Sequence, residues 1–249
     1  MKIDYVVMST DGNELYDNFW DINKKIWKDF IGVKPILVII GDEDGIIEND
    51  ECIIVNYKKV DNIKTSFQSQ ISRLFVTKLF PTKTILTSDI DMIPLNKEYF
   101  THNADNCLDN QFLNYVSDAY GYNNQMRYPI CYNLAKGETY NEILDLNCTF
   151  EEFVHRLNNL NINPLWDTDE IYLGSCVNKF EKTNEDRIVK IQRGFREGYA
   201  TKRIDRNYWF SDEYNFNKIS EGFYYDCHSL RPYKKYKEEI DKIVNLILK

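Results

Sequence analysis

No stretch of about 18 consecutive apolar residues occurs in the 249-residue chain, and its short apolar opening is flanked by Lys2 and Asp4. The sequence therefore predicts no membrane insertion and no secretory leader. It also lacks a C-x-x-C pair. The six cysteines, Cys52, Cys107, Cys131, Cys148, Cys176 and Cys227, are scattered, which argues against both a zinc site and a dense disulfide framework. A reducing cytoplasm is the expected compartment, and there the tripeptide Asn147, Cys148, Thr149 would never meet the glycosylation machinery. Excess positive charge is missing as well. With 31 Lys and Arg against 39 Asp and Glu the formal net charge is -8, the wrong sign for a general nucleic-acid binder or a protein held on anionic lipid. No repeat or flexible linker divides the chain. What remains is ordinary globular composition, 43% hydrophobic and 28% charged, at a length that suits one large domain or two intimately packed halves.

Residues 3–8 form an apolar, β-branched run closed by Ser9, Thr10, Asp11 and Gly12, which reads as a buried strand with a loop at its carboxyl end. Leu15, Phe19, Ile22, Ile26 and Phe30 recur near helical spacing, and Gly32 and Pro35 stop that pattern before a second apolar run at 36–40. An acidic turn at 41–45 precedes a further strand at 52–55. Between 66 and 79 the residues Phe67, Ile71, Leu74, Phe75 and Leu79 outline an amphipathic helix that ends before Pro81. A short strand at 84–87 then runs into Ser88, Asp89, Ile90 and Asp91. Strands alternating with helices predict an α/β class with a mostly parallel central sheet flanked by helices, and such sheets place ligands beyond the carboxyl ends of their strands. Beyond residue 100 helices are expected at 150–160, 169–177 and 236–248, in an extension of the same unit.

Asp89 and Asp91 stand at one of those strand ends. If the backbone there is extended, residues two apart point the same way, so both carboxylates face one polar site while Ile90 turns to the core. A hard divalent cation, magnesium or manganese, suits such a pair of oxygen ligands. The alternative is a solvated turn that happens to hold two aspartates.

Together with Tyr5–Thr10 on the opening strand, Arg73 on the preceding helix and the segment T-S-D-I-D-M-I-P at 87–94, this pair resembles the D-x-D motif of the nucleotide-diphospho-sugar glycosyltransferases of GT-A fold. The resemblance implies a single Rossmann-like domain: residues 1–100 as the nucleotide-sugar-binding half, residues 101–249 as the acceptor-binding half with a C-terminal segment contacting metal and phosphate. It implies a manganese or magnesium cofactor and a nucleoside-diphosphate sugar donor, UDP-linked, with Asp91 as a direct metal ligand and Asp89 reaching the ribose or the ion through water. Ser9 and Thr10 would lie near base and ribose. In Asp226, Cys227, His228, Ser229, Leu230 and Arg231 the same resemblance assigns His228 to the metal and the basic residues beyond it, Arg231, Lys234 and Lys235, to phosphate; a hydrogen-bonded structural histidine is the other reading. Arg73 is expected on phosphate or on Asp89, since a guanidinium fork fits both. His102 and His155 have no such context.

On the acceptor side Trp166, Asp167, Thr168, Asp169 and Glu170 form a cluster in which an aromatic face could stack on a sugar ring. The resemblance points to Asp169 as the general base, with Glu170 as the alternative. Asp167 and Glu170 also match a helix capping box, which leaves Asp169 the freer of the three. The expected reaction is metal-dependent, inverting transfer of a sugar to the hydroxyl of a glycan or other acceptor. The competing readings are a metal-dependent nucleotidyltransferase or phosphohydrolase using the same aspartates, and a nucleotide-sugar-binding domain without catalysis.

Overall fold

The computed structural model describes residues 1–16, 18–121, 127–160, 166–196, 199–211 and 214–248. In chain order these form β1 (Tyr5–Thr10), α1 (Phe19–Lys25), β2 (Lys34–Gly41), β3 (Gly45–Glu48), β4 (Ile53–Lys58), α2 (Thr65–Phe75), β5 (Thr84–Thr87), β6 (Met92–Pro94), α3 (Lys97–Asp105), β7 (Phe112–Asn114), β8 (Asn133–Lys136), α4 (Gly137–Leu144), α5 (Phe150–Asn158), α6 (Thr168–Glu181), β9 (Ile188–Lys190), β10 (Phe195–Arg196), β11 (Tyr199–Ala200), β12 (Arg203–Asp205), β13 (Asp226–His228) and α7 (Lys237–Ile247).

The opening strand sits at the centre of the large sheet because its side chains are apolar on both faces. Val6 and Met8 enter one core and Val7 the other, all three fully buried, as alternation along a doubly covered strand requires. Strand order is β3-β4-β2-β1-β5-β8-β7-β9. Four consecutive strands, β4, β2, β1 and β5, are parallel. Outside them β3 pairs antiparallel to β4, β8 runs antiparallel to both β5 and β7, and β9 lies parallel to β7. The sheet is thus mixed, with its parallel block confined to the first ninety residues. β3 falls just past the acidic turn, where the exposed Ile46 and Ile47 give no sign of burial.

α2 packs its apolar stripe, Phe67, Ile71 and Leu74, into the same core as Val7. On the other side of the sheet Trp27, Phe100, Tyr115 and Tyr132 form an aromatic centre. Both cores take residues from before and after position 100. The expected helix over 15–30 is shorter, beginning at Phe19, and widens into a π-helical turn at Ile26–Ile31. α4 starts where the chain passes very close to the turn after α2: a Cβ on Gly137 would lie 2.4 Å from the carbonyl oxygens of Thr77 and Phe80, so only glycine fits. Among the described residues no helix is long and apolar enough to cross a membrane.

A second, three-stranded sheet has the order β12-β13-β6. Here β13, late in the chain, pairs antiparallel with β6, which directly follows the aspartate pair, so that Cys227 faces Ile93 and His228 faces Met92. β12 joins β13 in parallel, setting Arg203 beside Asp226, Ile204 beside Cys227 and Asp205 beside His228. Ile93, Ile204 and Cys227 are fully buried. The charged residues alternating with them form a second row, which carries much of the site described next.

Candidate active site

At the carboxyl ends of β1 and β5 the surface opens into a cavity of about 330 Å³, a size typical of ligand pockets. Ser9, Asp89, Asp91, Asp169, Glu170 and His228 all line it, although they come from four separate stretches of chain. Thr10 and Arg73 also face it. Lys234 does not, and Arg231 reaches the site through a 3.6 Å contact of Nε with Asp91 Oδ2 and a hydrogen bond to the hydroxyl of Tyr16, which lines the cavity. His102 on α3 and His155 on α5 lie away from it.

Between β5 and β6 the backbone turns instead of staying extended, and the Met92 N–H donates to the Asp89 carbonyl at 3.2 Å. The simple period-two argument for Asp89 and Asp91 therefore does not hold. The outcome is nonetheless the same, because the turn leaves both carboxylates on the cavity wall and buries Ile90 in the core.

Each aspartate has a guanidinium for a partner. Arg73, nearly buried on α2, donates to Asp89 and, through Nη2 at 2.8 Å, to Asp169 Oδ2; its Nε and Nη1 also reach the carbonyls of Gln70 and Ser88. Burial works against ionisation of Asp89, but the Arg73 charge outweighs it and holds the carboxyl below its usual range. Asp169 moves the other way. Burial and the Asp89 charge raise it despite Arg73. Asp91 Oδ2 accepts from Arg206 Nη1 at 2.9 Å and lies 3.7 Å from His228 Nε2. The opposite ring nitrogen of His228 sits 3.2 Å from Asp205 Oδ2, so the imidazole is held between two carboxylates.

The cluster at the start of α6 differs from the capping box that its spacing suggests. Asp167 occupies the N-cap position but makes no side-chain cap. Arg127 takes both acids, at 3.1 Å from Asp167 and 2.8 Å from Glu170, because a charge-assisted pair outcompetes a neutral backbone donor. Glu170 also accepts from the Tyr120 hydroxyl at 2.6 Å. Burial, followed by the charge of Asp169, lifts its carboxyl to about 7. Asp169, expected to be the freer residue, is the more committed: it is 2% exposed, ion-paired to Arg73 and bonded to the Glu170 N–H. Trp166, by contrast, is 69% exposed on the rim. Of the 127–133 segment, Pro129 and Cys131 line the cavity while Tyr128, Ile130 and Tyr132 pack into the cores. Trp209 is buried in a core as well.

Sequence reasoning missed Arg203, Asp205 and Arg206, all on the cavity wall. Their signal was faint but present: Arg203-Ile204-Asp205 and Asp226-Cys227-His228 both repeat the charged-apolar-charged pattern of the D-x-D segment, and the parallel register aligns the two triplets.

Asp89, Asp91 and His228 supply the oxygen and imidazole donors that a manganese or magnesium ion accepts, and all three line one cavity. In kind, therefore, they fit such an ion. Among the described residues, however, no group of three or more His, Cys, Asp or Glu side chains is gathered as a ready metal site; guanidinium groups take the place of a cation at both aspartates.

No family model matches the chain, and no curated protein matches it in sequence. Solved structures do match in fold. The galactosyltransferase LgtC in complex with donor and acceptor sugar analogs superposes with a TM-score of 0.54 at 9% identity, covering 98% of this chain and 95% of that one. A glycosyltransferase involved in glycosylation of the major capsid of PBCV-1 gives 0.53 at 9% identity, with 96% and 99% covered. The glycosyltransferase GlyE of Streptococcus pneumoniae TIGR4 gives 0.51 at 13% identity, with 98% and 63% covered. At such identities the likeness is one of architecture: a mixed α/β domain whose central sheet is flanked by helices, matching the GT-A-like fold of these neighbours.

Proposed function

We propose that the chain transfers a glycosyl group from a nucleoside-diphosphate sugar, UDP-linked, to an acceptor hydroxyl. The observation that carries this reading is the convergence of Asp89, Asp91 and His228 on one cavity at the carboxyl edge of the parallel strands, in a fold shared with sugar-transferring enzymes. Asp89, Asp91 and His228 would hold a divalent manganese or magnesium ion, which when bound supplies Lewis-acid stabilisation of the departing diphosphate.

The chain's own groups divide the remaining work. Ser9 is spent on the Ser69 carbonyl of α2 at 2.7 Å, which fixes the end of β1 where a nucleoside would lie. Arg73 ties Asp89 to Asp169 and so links the donor side to the acceptor side. Glu170 is the more accessible of the two acids on α6. A carboxyl near 7 is partly ionised at neutral pH and basic enough to take the proton of a hydroxyl, and Tyr120 and Arg127 hold it in place. The exposed face of Trp166 beside it offers a stacking surface for a sugar acceptor.

The test is a panel of sugar nucleotides supplied with manganese and diverse acceptors. Nucleoside diphosphate and glycosylated product are expected, and Asp91→Asn should lose most metal-dependent donor affinity, about tenfold to a hundredfold for a lost charged ligand. Nucleoside monophosphate or inorganic phosphate as product would instead indicate phosphoryl chemistry, and binding without turnover a non-catalytic domain. The anomeric configuration of the product, read by NMR, reports on Glu170: inversion agrees with a base-assisted single displacement, and retention removes that role.

A further inference from the structure

Asp226 is fully buried and is paired with two guanidinium groups at once. Arg193 donates through Nη1 to Oδ2 at 2.8 Å and through Nη2 to Oδ1 at 3.1 Å, while Arg203 donates through Nε to Oδ1 at 3.0 Å and through Nη2 to Oδ2 at 2.9 Å. Among the described residues neither guanidinium has a second ion pair, so the trio itself carries one more positive charge than negative, although Arg203 also acts from a distance on Asp205, which shares the cavity wall. Such an excess in a poorly solvated place is costly unless an anion meets it.

The two arginines differ in where they can present that charge. Arg193 is sealed in: its side chain is 1% exposed, it lies over the rings of Tyr99 and Tyr225 at 5.4 and 5.1 Å, and it donates twice to the Thr201 carbonyl. Arg203 lines the cavity, with Nη2 4.0 Å from the thiol of Cys131. Elsewhere on the wall Arg73 is shared by two carboxylates, and Arg206 and Arg231 both lie at Asp91.

We propose that Arg203 is a phosphate-contacting residue, held as a rigid fork by Asp226 and Arg193 so that the surplus charge faces the diphosphate of a nucleotide bound in the cavity. The assignment rests on the donor reading above. It also explains an arrangement that stability alone does not call for, since one guanidinium would neutralise Asp226. With Nε and Nη2 held by Asp226 the guanidinium plane is fixed in advance, and its remaining Nη1 loses little freedom on engaging a phosphate oxygen.

Titration calorimetry with UDP and with uridine, on the full chain as wild type, Arg203→Gln and Arg203→Lys, in manganese and in EDTA, tests the assignment. Arg203→Gln should weaken UDP by about tenfold to a hundredfold in both buffers and leave uridine unchanged; Arg203→Lys should recover part of the UDP affinity, having the charge without the fork. An unchanged UDP affinity, or an equal loss for UDP and uridine, would show a purely structural arginine and overturn the assignment. If Arg203→Gln does not fold, the ratio of UDP to uridine affinity in Arg203→Lys decides on the same criterion. Wild type that binds none of UDP, GDP and ADP would bring down the donor reading itself, an outcome separate from loss of Arg203 alone.

Discussion

Around one cavity the structure places two charged trios of opposite sign. In the first a single guanidinium, Arg73, lies between the carboxylates of Asp89 and Asp169; in the second a single carboxylate, Asp226, lies between the guanidinium groups of Arg193 and Arg203. The members of the first come from α2, from the turn after β5 and from α6, so it spans the molecule and leaves acidic groups facing the cavity. The second gathers residues of the last quarter of the chain and leaves a basic one. The contrast teaches that one cavity can carry an acidic wall and a basic wall, each held by buried pairing and not by surface charge.

The largest effect in this contrast is expected at the basic trio. Asp226→Asn keeps the shape but strands two guanidinium groups in the interior, and removing one partner from a buried ionic cluster costs about 3–5 kcal/mol; urea unfolding measures it, and an unchanged midpoint would reduce the trio to an ornament of the fold. The acidic trio should give less. Arg73→Gln leaves Asp89 and Asp169 without their cation, but the Asp89 side chain is 33% exposed and water can reach it, so the stability loss is about 1–3 kcal/mol. Its mark should be functional instead, with transfer reduced by about a hundredfold or more as an electrostatic contact at the reacting centre disappears; transfer at wild-type rate would sever Arg73 from the chemistry.

A pH-dependent effect is expected at Glu170, next to the acidic trio. Its carboxyl titrates near 7 in the fold against an ordinary value of 4.5, so the folded chain binds that proton more tightly than the unfolded one. The stability it contributes is complete below pH 4.5 and is lost as pH rises through 7. Glu170→Gln should lack that decline, so the gap between the two unfolding free energies drifts by up to about 3 kcal/mol across the window. Parallel curves would mean that Glu170 is not raised.

The acidic wall was the more legible of the two from sequence. Strand 84–87 and the D-x-D that follows it lie in a continuous apolar frame, and local pattern is enough to place them. Arg73 was visible for the same reason, since its helix has a clear stripe. The basic wall was nearly silent. β12 and β13 are three residues long, too short for an alternation to be counted, and the meaning of Arg203 depends on a partner 23 positions away that only the parallel register brings beside it. The Asp167 and Glu170 capping pattern was legible but misleading, because Arg127, 40 and 43 positions earlier, offers both acids a better partner. The mixed edges of the sheet were missed through brevity too, β7 and β9 being three residues each.

The pairing of β13 with β6 has a consequence for biosynthesis. Met92 and Ile93 leave the ribosome far ahead of Cys227 and His228, their neighbours in the finished sheet. At ordinary translation speeds that interval is on the order of ten seconds, during which a nascent polypeptide carries its aspartate pair with no imidazole beside it. A ribosome stalled before residue 226 should therefore display a largely assembled parallel block whose aspartate pair still lacks His228.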